Sequence, residues 1–217
     1  MALGDRVREG GEATMARDEE KRRGRGRPKR RAREAVLKQV MEHYWRDGVQ
    51  TLSLNEVCRR VSASKPSVYR EFGGEDGLQE AVLGHYRDIV IAPVLAFLVV
   101  ERPFVEALEA FIVGMTTPGE SPAGCLFTEM RMLRGQLGPK SLAQLEAMEA
   151  ERCSAFAGWY TRALENGEAN PALSPMVAAQ YIDAQFTLLL LHMGMGQSPE
   201  AVRARTHLAM GVLTPPR

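Results

Sequence analysis

The chain has 217 residues, 45% hydrophobic and 25% charged, enough to bury a core in one or two compact domains. Its formal net charge of +1 conceals an asymmetry, because residues 1–72 carry 18 Lys and Arg against 11 Asp and Glu, whereas residues 73–217 carry 10 against 16. Three scattered cysteines (Cys58, Cys125, Cys153) argue against a disulfide framework and for a reducing cytoplasm, four dispersed histidines leave no zinc spacing, and no apolar run fits a signal peptide or a membrane span.

Residues 1–25 read as a disordered basic arm, since they lack apolar periodicity. From Lys21 to Arg33, nine of thirteen residues are basic. Within this run Arg25-Gly26-Arg27-Pro28, followed by Lys29, is slim enough when extended to enter a minor groove, where guanidinium groups meet a strong negative potential. Plain phosphate attraction explains the same charges, and both readings stand.

The first predicted helix spans about Arg31 to Asp47. Its stripe is Ala32, Val36, Val40 and Tyr44, with Leu37 and Met41 alongside and Gly48 as its stop. Ser53-Leu54-Asn55-Glu56 matches a capping box, with Ser53 as cap and Glu56 reaching back; Leu54, Val57, Cys58 and Val61 then face a core. Val61-Ser62-Ala63 is left for a turn. Ser64 caps the next helix and Pro66 sits in its first turn, where a missing N–H costs little. Val68 and Phe72, four apart, share an inward face. Lys65, Ser67, Tyr69 and Arg70 point outward, a cationic and hydroxyl-bearing surface suited to phosphates and base edges. Two short helices joined by about three residues follow the helix-turn-helix plan.

These residues carry a family resemblance. Gly26-Arg27-Pro28, Gly48, Leu54, Val57, Cys58 and Ser64-Lys65-x-Ser67-Val68-Tyr69-x-x-Phe72, with Leu78 beyond, resemble the DNA-binding domain of TetR-type transcriptional regulators. Three positions depart from the pattern: a usual turn Gly is Ser62, a frequent Thr is Leu52, and a common Lys is Glu75. The resemblance implies a helix-turn-helix domain over 26–86 and an effector-binding and dimerisation domain over 87–217. Arg25, Arg27, Lys29, Ser53, Ser64, Lys65, Ser67, Val68, Tyr69 and Arg70 are the candidate DNA-binding residues.

A fourth helix is expected from Glu75 to about Phe97, kinked or ended early by Pro93. Further helices are expected near 103–115, 123–134, 139–165, 175–195 and 199–213. Asn166-Gly167 closes the longest, and Ser174-Pro175 and Ser198-Pro199 open the last two as cap and first-turn proline. No strand pattern competes, so the chain is all-α with about nine helices: a three-helix N-terminal head and a C-terminal bundle. The order of the later helices is similar to the regulatory half of the same family, which implies an inducer pocket and a homodimer.

Phe111, Met115, Phe127, Met130, Phe156, Trp159 and Tyr160 are candidate pocket walls, and Arg131, Gln185 and His192 candidate ligand-orienting groups. Plain core packing competes for each aromatic and Met residue, an internal hydrogen bond for His192, and pairing with Glu129 or another acid for Arg131. Thr187–Leu191 is nearly apolar on all sides, which calls for a partner covering one face. Ala178, Ala179, Ala184, Ala204, Ala209 and Gly211 are small enough for helices to approach. Phosphate loop, nucleophile elbow, metal set and paired carboxylates are all missing, so an enzyme, a metal and a cofactor are not expected. Cys125, beside Gly124 at a helix start, is either an inert thiol or a sensor. The expected partners are double-stranded DNA, a small effector and a second copy of the chain. Repression, activation and constitutive binding stay open.

Overall fold

The computed structural model describes residues 33–117, 119, 122 and 124–216. The basic arm, with Arg25, Arg27 and Lys29, lies outside the described residues. Among those described there are nine helices and no strand.

Helix α1 (33–47) ends at Gly48, whose φ of +91° is open to glycine and strained for other residues. A 3-10 turn, Val49–Thr51, leads to α2 (Leu54–Arg60), and α3 (Lys65–Phe72) follows the turn at Ser62. Leu37, Val40, Met41 and Tyr44 of α1 share one core with Leu54, Val57, Cys58, Val61 and Val68, as their spacing requires. Helix α4 runs from Glu75–Tyr86 through a π-helical turn, Arg87–Ile91, into a last stretch, Ala92–Phe97. Pro93 therefore does not end it. Proline would clash with the carbonyl four residues back, and the wider turn just before it takes up the misfit, the Ala92 N–H bonding to Arg87 O five residues away.

The bundle continues with α5 (Phe104–Thr116), α6 (Leu126–Met132), α7 (Pro139–Glu165), α8 (Pro175–Gly194) and α9 (Pro199–Met210). Ser174 and Ser198 accept the Val177 and Ala201 N–H groups at 3.4 and 3.2 Å, so both predicted caps form. Helix α6 starts later than Ala123, because Gly124 takes a φ of +87° and Cys125 is extended.

Two cores result. The second joins α5, the C-terminal half of α7, α8 and α9. The first is built on α1–α4 and also takes in Leu126, Phe127, Met130, Leu145 and Met148 from α6 and α7. Residue 86 thus marks no break in packing: the head and part of the bundle share one interior.

Candidate functional site

The reading head is built by local chemistry. Ser53 caps α2 by accepting the Glu56 N–H at 3.3 Å. The second half of the expected capping box does not form: the Glu56 carboxylate goes to Arg59 (2.7 and 2.9 Å) and Arg60 (2.8 Å). Those bonds, Arg59's first and Arg60's next, hold the Glu56 carboxyl down at about 2. Arg60 also pairs with Asp47, which ties α2 to the end of α1. Ser64 caps α3 through the Ser67 N–H at 3.2 Å. Lys65, Tyr69 and Arg70 are exposed, Tyr69 at 56%, and Ser67 is half-buried. Val68, at 3% exposure, is part of the core; it holds the helix in place and presents nothing to a partner surface. The outward row is thus the exposed Lys65, Tyr69 and Arg70 with the half-buried Ser67 among them. Arg33 lies over the Phe72 ring at 5.1 Å and pairs with Glu71 at 3.3 Å, fixing the far end of α3 against α1.

A cavity of about 470 Å³ lies behind this head. Its walls come from α1 (Trp45), α4 (Tyr86 and the π turn at Val90 and Ile91), α5 (Phe111, Met115), α7 (Arg152, Phe156) and α8 (Phe186, Leu190, Met193), with Cys125 at the entry to α6. Of the residues expected to form a pocket, Phe111, Met115 and Phe156 line it. Phe127 and Met130 belong to the first core. Trp159 and Tyr160 sit one turn further along α7, in the second core, with Trp159 4.9 Å from the Phe104 ring and Tyr160 donating to Asn170 O at 2.9 Å. Gln185 is half-buried outside the cavity, and His192 meets Arg205 at 3.3 Å. Arg131 pairs with Glu149 (3.0 Å) and Asp183 (2.8 Å), while Glu129 turns to the head instead.

The polar groups of this cavity are few. Arg152 is 5% exposed, forms an ion pair with Asp183 at 2.8 Å, and lies over the Phe127 ring at 4.8 Å. Trp45 meets the edge of Tyr86 at 5.1 Å, and its buried Nε1–H has no hydrogen-bond partner within the protein. The Tyr86 hydroxyl and Cys125 Sγ are 3.2 Å apart. Burial, and after it Cys125, pushes the Tyr86 phenol well above its ordinary value, so it stays neutral. Sequence periodicity missed Trp45, which is one residue off the α1 stripe, and Arg152. The signal for Arg152 was present: it interrupts the apolar row Leu145, Met148, Phe156 at i+4 spacing.

Three further polar contacts tie the head to the bundle. Glu129 on α6 accepts the Val49 N–H at 2.6 Å, Gln50 bonds Gln136, and Asp76 at the start of α4 caps α7. Asp76 accepts from Ser141 N (2.9 Å), Ser141 Oγ (2.7 Å) and Lys140 N (3.0 Å). Burial pushes the Asp76 carboxyl up, but these donors together outweigh it and hold the carboxyl below its ordinary value. Burial raises the Glu129 carboxyl, with the Val49 N–H pulling the other way.

On the outside, Val177, Gln180, Ala184, Leu188, Leu191 and Met195 are exposed at spacings of three and four along α8. Leu208, 83% exposed, and Val212, 45% exposed, lie on α9 and just beyond it. Ala178 and Ala179 are fully buried within the chain, so they serve its own core and not a partner. Among the described residues no helix is long and apolar enough to cross a membrane, and no group of three or more His, Cys, Asp or Glu side chains is placed to hold a metal ion.

A capped helix-turn-helix joined by a long helix to a five-helix remainder is the fold of the TetR-family transcriptional regulators. No protein-family model matches the chain. In sequence it is 35% identical over 108 residues to the HTH-type transcriptional repressor ComR of Escherichia coli strain K12, a match covering 48% of this chain and 51% of that protein, so the chain spans about half that relative's length. In structure it is similar to reduced E. coli NemR, with a TM-score of 0.74 and 16% identity over 86% of this chain and all (100%) of that one. It is also similar to a TetR-family regulator from Rhodococcus sp. (TM-score 0.68, 21% identity, 84% and 98% covered). A third likeness is to a cysteine mutant of the TetR-family regulator CifR complexed with a 26-base-pair operator (TM-score 0.68, 23% identity, 82% and 95% covered).

Proposed function

We propose that the protein is a ligand-responsive transcriptional repressor, not an enzyme. It binds a two-fold pseudo-palindromic operator as a homodimer in the cytoplasm and is released by a small, mostly apolar effector. The observation that carries this reading is the position of the cavity. One wall is Trp45 of the head and another is the π turn of α4, whose first residues pack against α3. A molecule seated there touches the reading head itself, so it can favour one head position over another, which any inducer must do. Repression, rather than activation, is supported by the E. coli relative, which is a transcriptional repressor.

Lys65, Ser67, Tyr69 and Arg70 form the reading row, with Ser53 and Ser64 at helix starts facing phosphates. Arg25, Arg27 and Lys29 of the arm add charge. The effector site is Phe111, Met115 and Phe156, completed by Trp45, Tyr86, Cys125 and Arg152. The exposed faces of α8 and α9 form the dimer contact.

The test is a footprint and gel shift on the DNA flanking the protein's own gene. Tyr69→Ala should weaken that binding by about 1–3 kcal/mol while leaving the melting temperature near wild type, because Tyr69 is exposed. Full operator affinity in a folded Tyr69→Ala protein would remove Tyr69 from the reading row.

A further inference from the structure

The polar atoms around the cavity are unusual in kind. Arg152 is the one charged residue among the described residues that line it. It is 5% exposed, so its guanidinium is desolvated, and burying a cation is tolerated only with partners. Its partner is Asp183, but that carboxylate does not line the cavity and also accepts from Arg131 at 2.8 Å. One carboxylate is thus shared between two guanidinium groups, and its ion pair with Asp183 leaves N–H donors of the Arg152 guanidinium to spare. The second group is the Trp45 indole N–H, a donor with no acceptor in the protein although its nitrogen is buried. The walls offer donors and no carboxylate, and apart from Thr117, Cys125 and the Tyr86 hydroxyl the rest of the lining is apolar.

From this juxtaposition we infer that the cavity binds a flat apolar molecule ending in a carboxylate, whose oxygens accept from Arg152 and the Trp45 N–H while its ring packs among Phe111, Phe156 and Phe186. The inference rests on the effector reading and specifies its chemistry. A neutral carbonyl satisfies the indole but leaves the guanidinium with only its share of the Asp183 charge. An ammonium faces a buried cation and no acid on the wall, so it is rejected. A carboxylate matches the planar fork of the guanidinium and adds the charge that Asp183 supplies only in part.

The experiment uses the full chain carrying Trp159→Phe, which leaves Trp45 as the single tryptophan. The probes are 2-naphthoate, 2-acetylnaphthalene and 2-naphthylmethylammonium, which share a ring system and differ in the charge of the substituent. Binding is read by quenching of Trp45 and by the melting temperature. Saturable binding of 2-naphthoate, at least tenfold tighter than the ketone and with no saturable binding of the ammonium, is the expected result. Arg152→Gln should abolish the preference for naphthoate over the ketone, and Trp45→Phe, followed by melting temperature, should weaken both. If Arg152→Gln fails to fold because Asp183 loses its partner, the ranking of the three probes on the parent protein still decides. The inference is overturned if the ketone or the ammonium binds as tightly as naphthoate, if the preference survives Arg152→Gln, or if no probe saturates. Operator release is measured separately: naphthoate binding without release supports the ligand class and overturns the inducible-repressor reading.

Discussion

Ser62 holds a φ of +53°, in the left-handed region where a Cβ costs about 1–2 kcal/mol. The helix-turn-helix turn demands that conformation, and glycine would meet it without strain. Glycine's extra freedom in the unfolded chain costs about 0.5–1 kcal/mol, so Ser62→Gly should stabilise the protein by up to about 1 kcal/mol. A urea midpoint unchanged or lowered in Ser62→Gly would show that the turn is already relaxed around serine. Asp76 acts at longer range. Its carboxylate satisfies the first amides of α7, which have no partner in their own helix, and a Cβ on Gly138 would overlap it, so the approach is close. Asp76→Ala should cost about 1–3 kcal/mol at neutral pH. Its folded carboxyl lies below its unfolded value, so this contribution is present above the ordinary carboxylate range and is lost as pH falls through the folded value. The stability gap between wild type and Asp76→Ala should therefore narrow in denaturant titrations from about pH 6 down to about pH 3. A gap constant over that range would show that the ionised form is not what caps α7.

Helix α8 shows what an all-apolar segment can be for. Leu189 packs in the second core, Leu190 lines the cavity, and Leu188 and Leu191 face outward at 46% and 40% exposure. One helix thus serves the core, the cavity and an outer face, and the expectation of a covered face narrows to Leu188, Leu191 and Leu208. Leu188→Glu places a charge on that face and should convert a dimer to monomer in sedimentation while leaving the helix content unchanged. A dimer that persists in Leu188→Glu would move the contact elsewhere. The elements themselves were legible because their signals are local: Ser64, Ser174 and Ser198 each bond an amide three residues on, and Gly48 and Gly167 each take a positive φ. The faces were less so. Tyr44 and Trp45 are adjacent on α1, yet one is buried in the first core and the other lines the cavity, a difference of a hundred degrees that only the neighbouring helices decide. Trp159 and Phe127 have the same apolar character as Phe156, so periodicity could not separate cavity from core. Asp76 and Glu129 find partners 65 and 80 residues away, beyond any spacing rule.

At the scale of the molecule, α4 connects every part of the proposed mechanism. Its first turn is clamped to α7 by Asp76, its π turn forms a wall of the cavity, and its Gly77 lies against the end of α3. A Cβ at Gly77 would overlap the Phe72 carbonyl oxygen, a backbone atom that cannot rotate away. Gly77→Ala must therefore push α3 from α4 and reset the angle at which Tyr69 and Lys65 are presented. Gly77 and the cavity residue Tyr86 are nine positions apart, about 14 Å along the helix. The two ends should thus be separable: on the proposed reading, Gly77→Ala weakens operator binding at least tenfold, about 1.4 kcal/mol, while Trp45 still reports the same probe affinity. Circular dichroism must first show that the variant is folded. Operator affinity held at wild type in a folded Gly77→Ala protein would mean that the head tolerates a displaced recognition helix. The placement of α3 by α4 could then not be how a ligand in the cavity reaches the DNA.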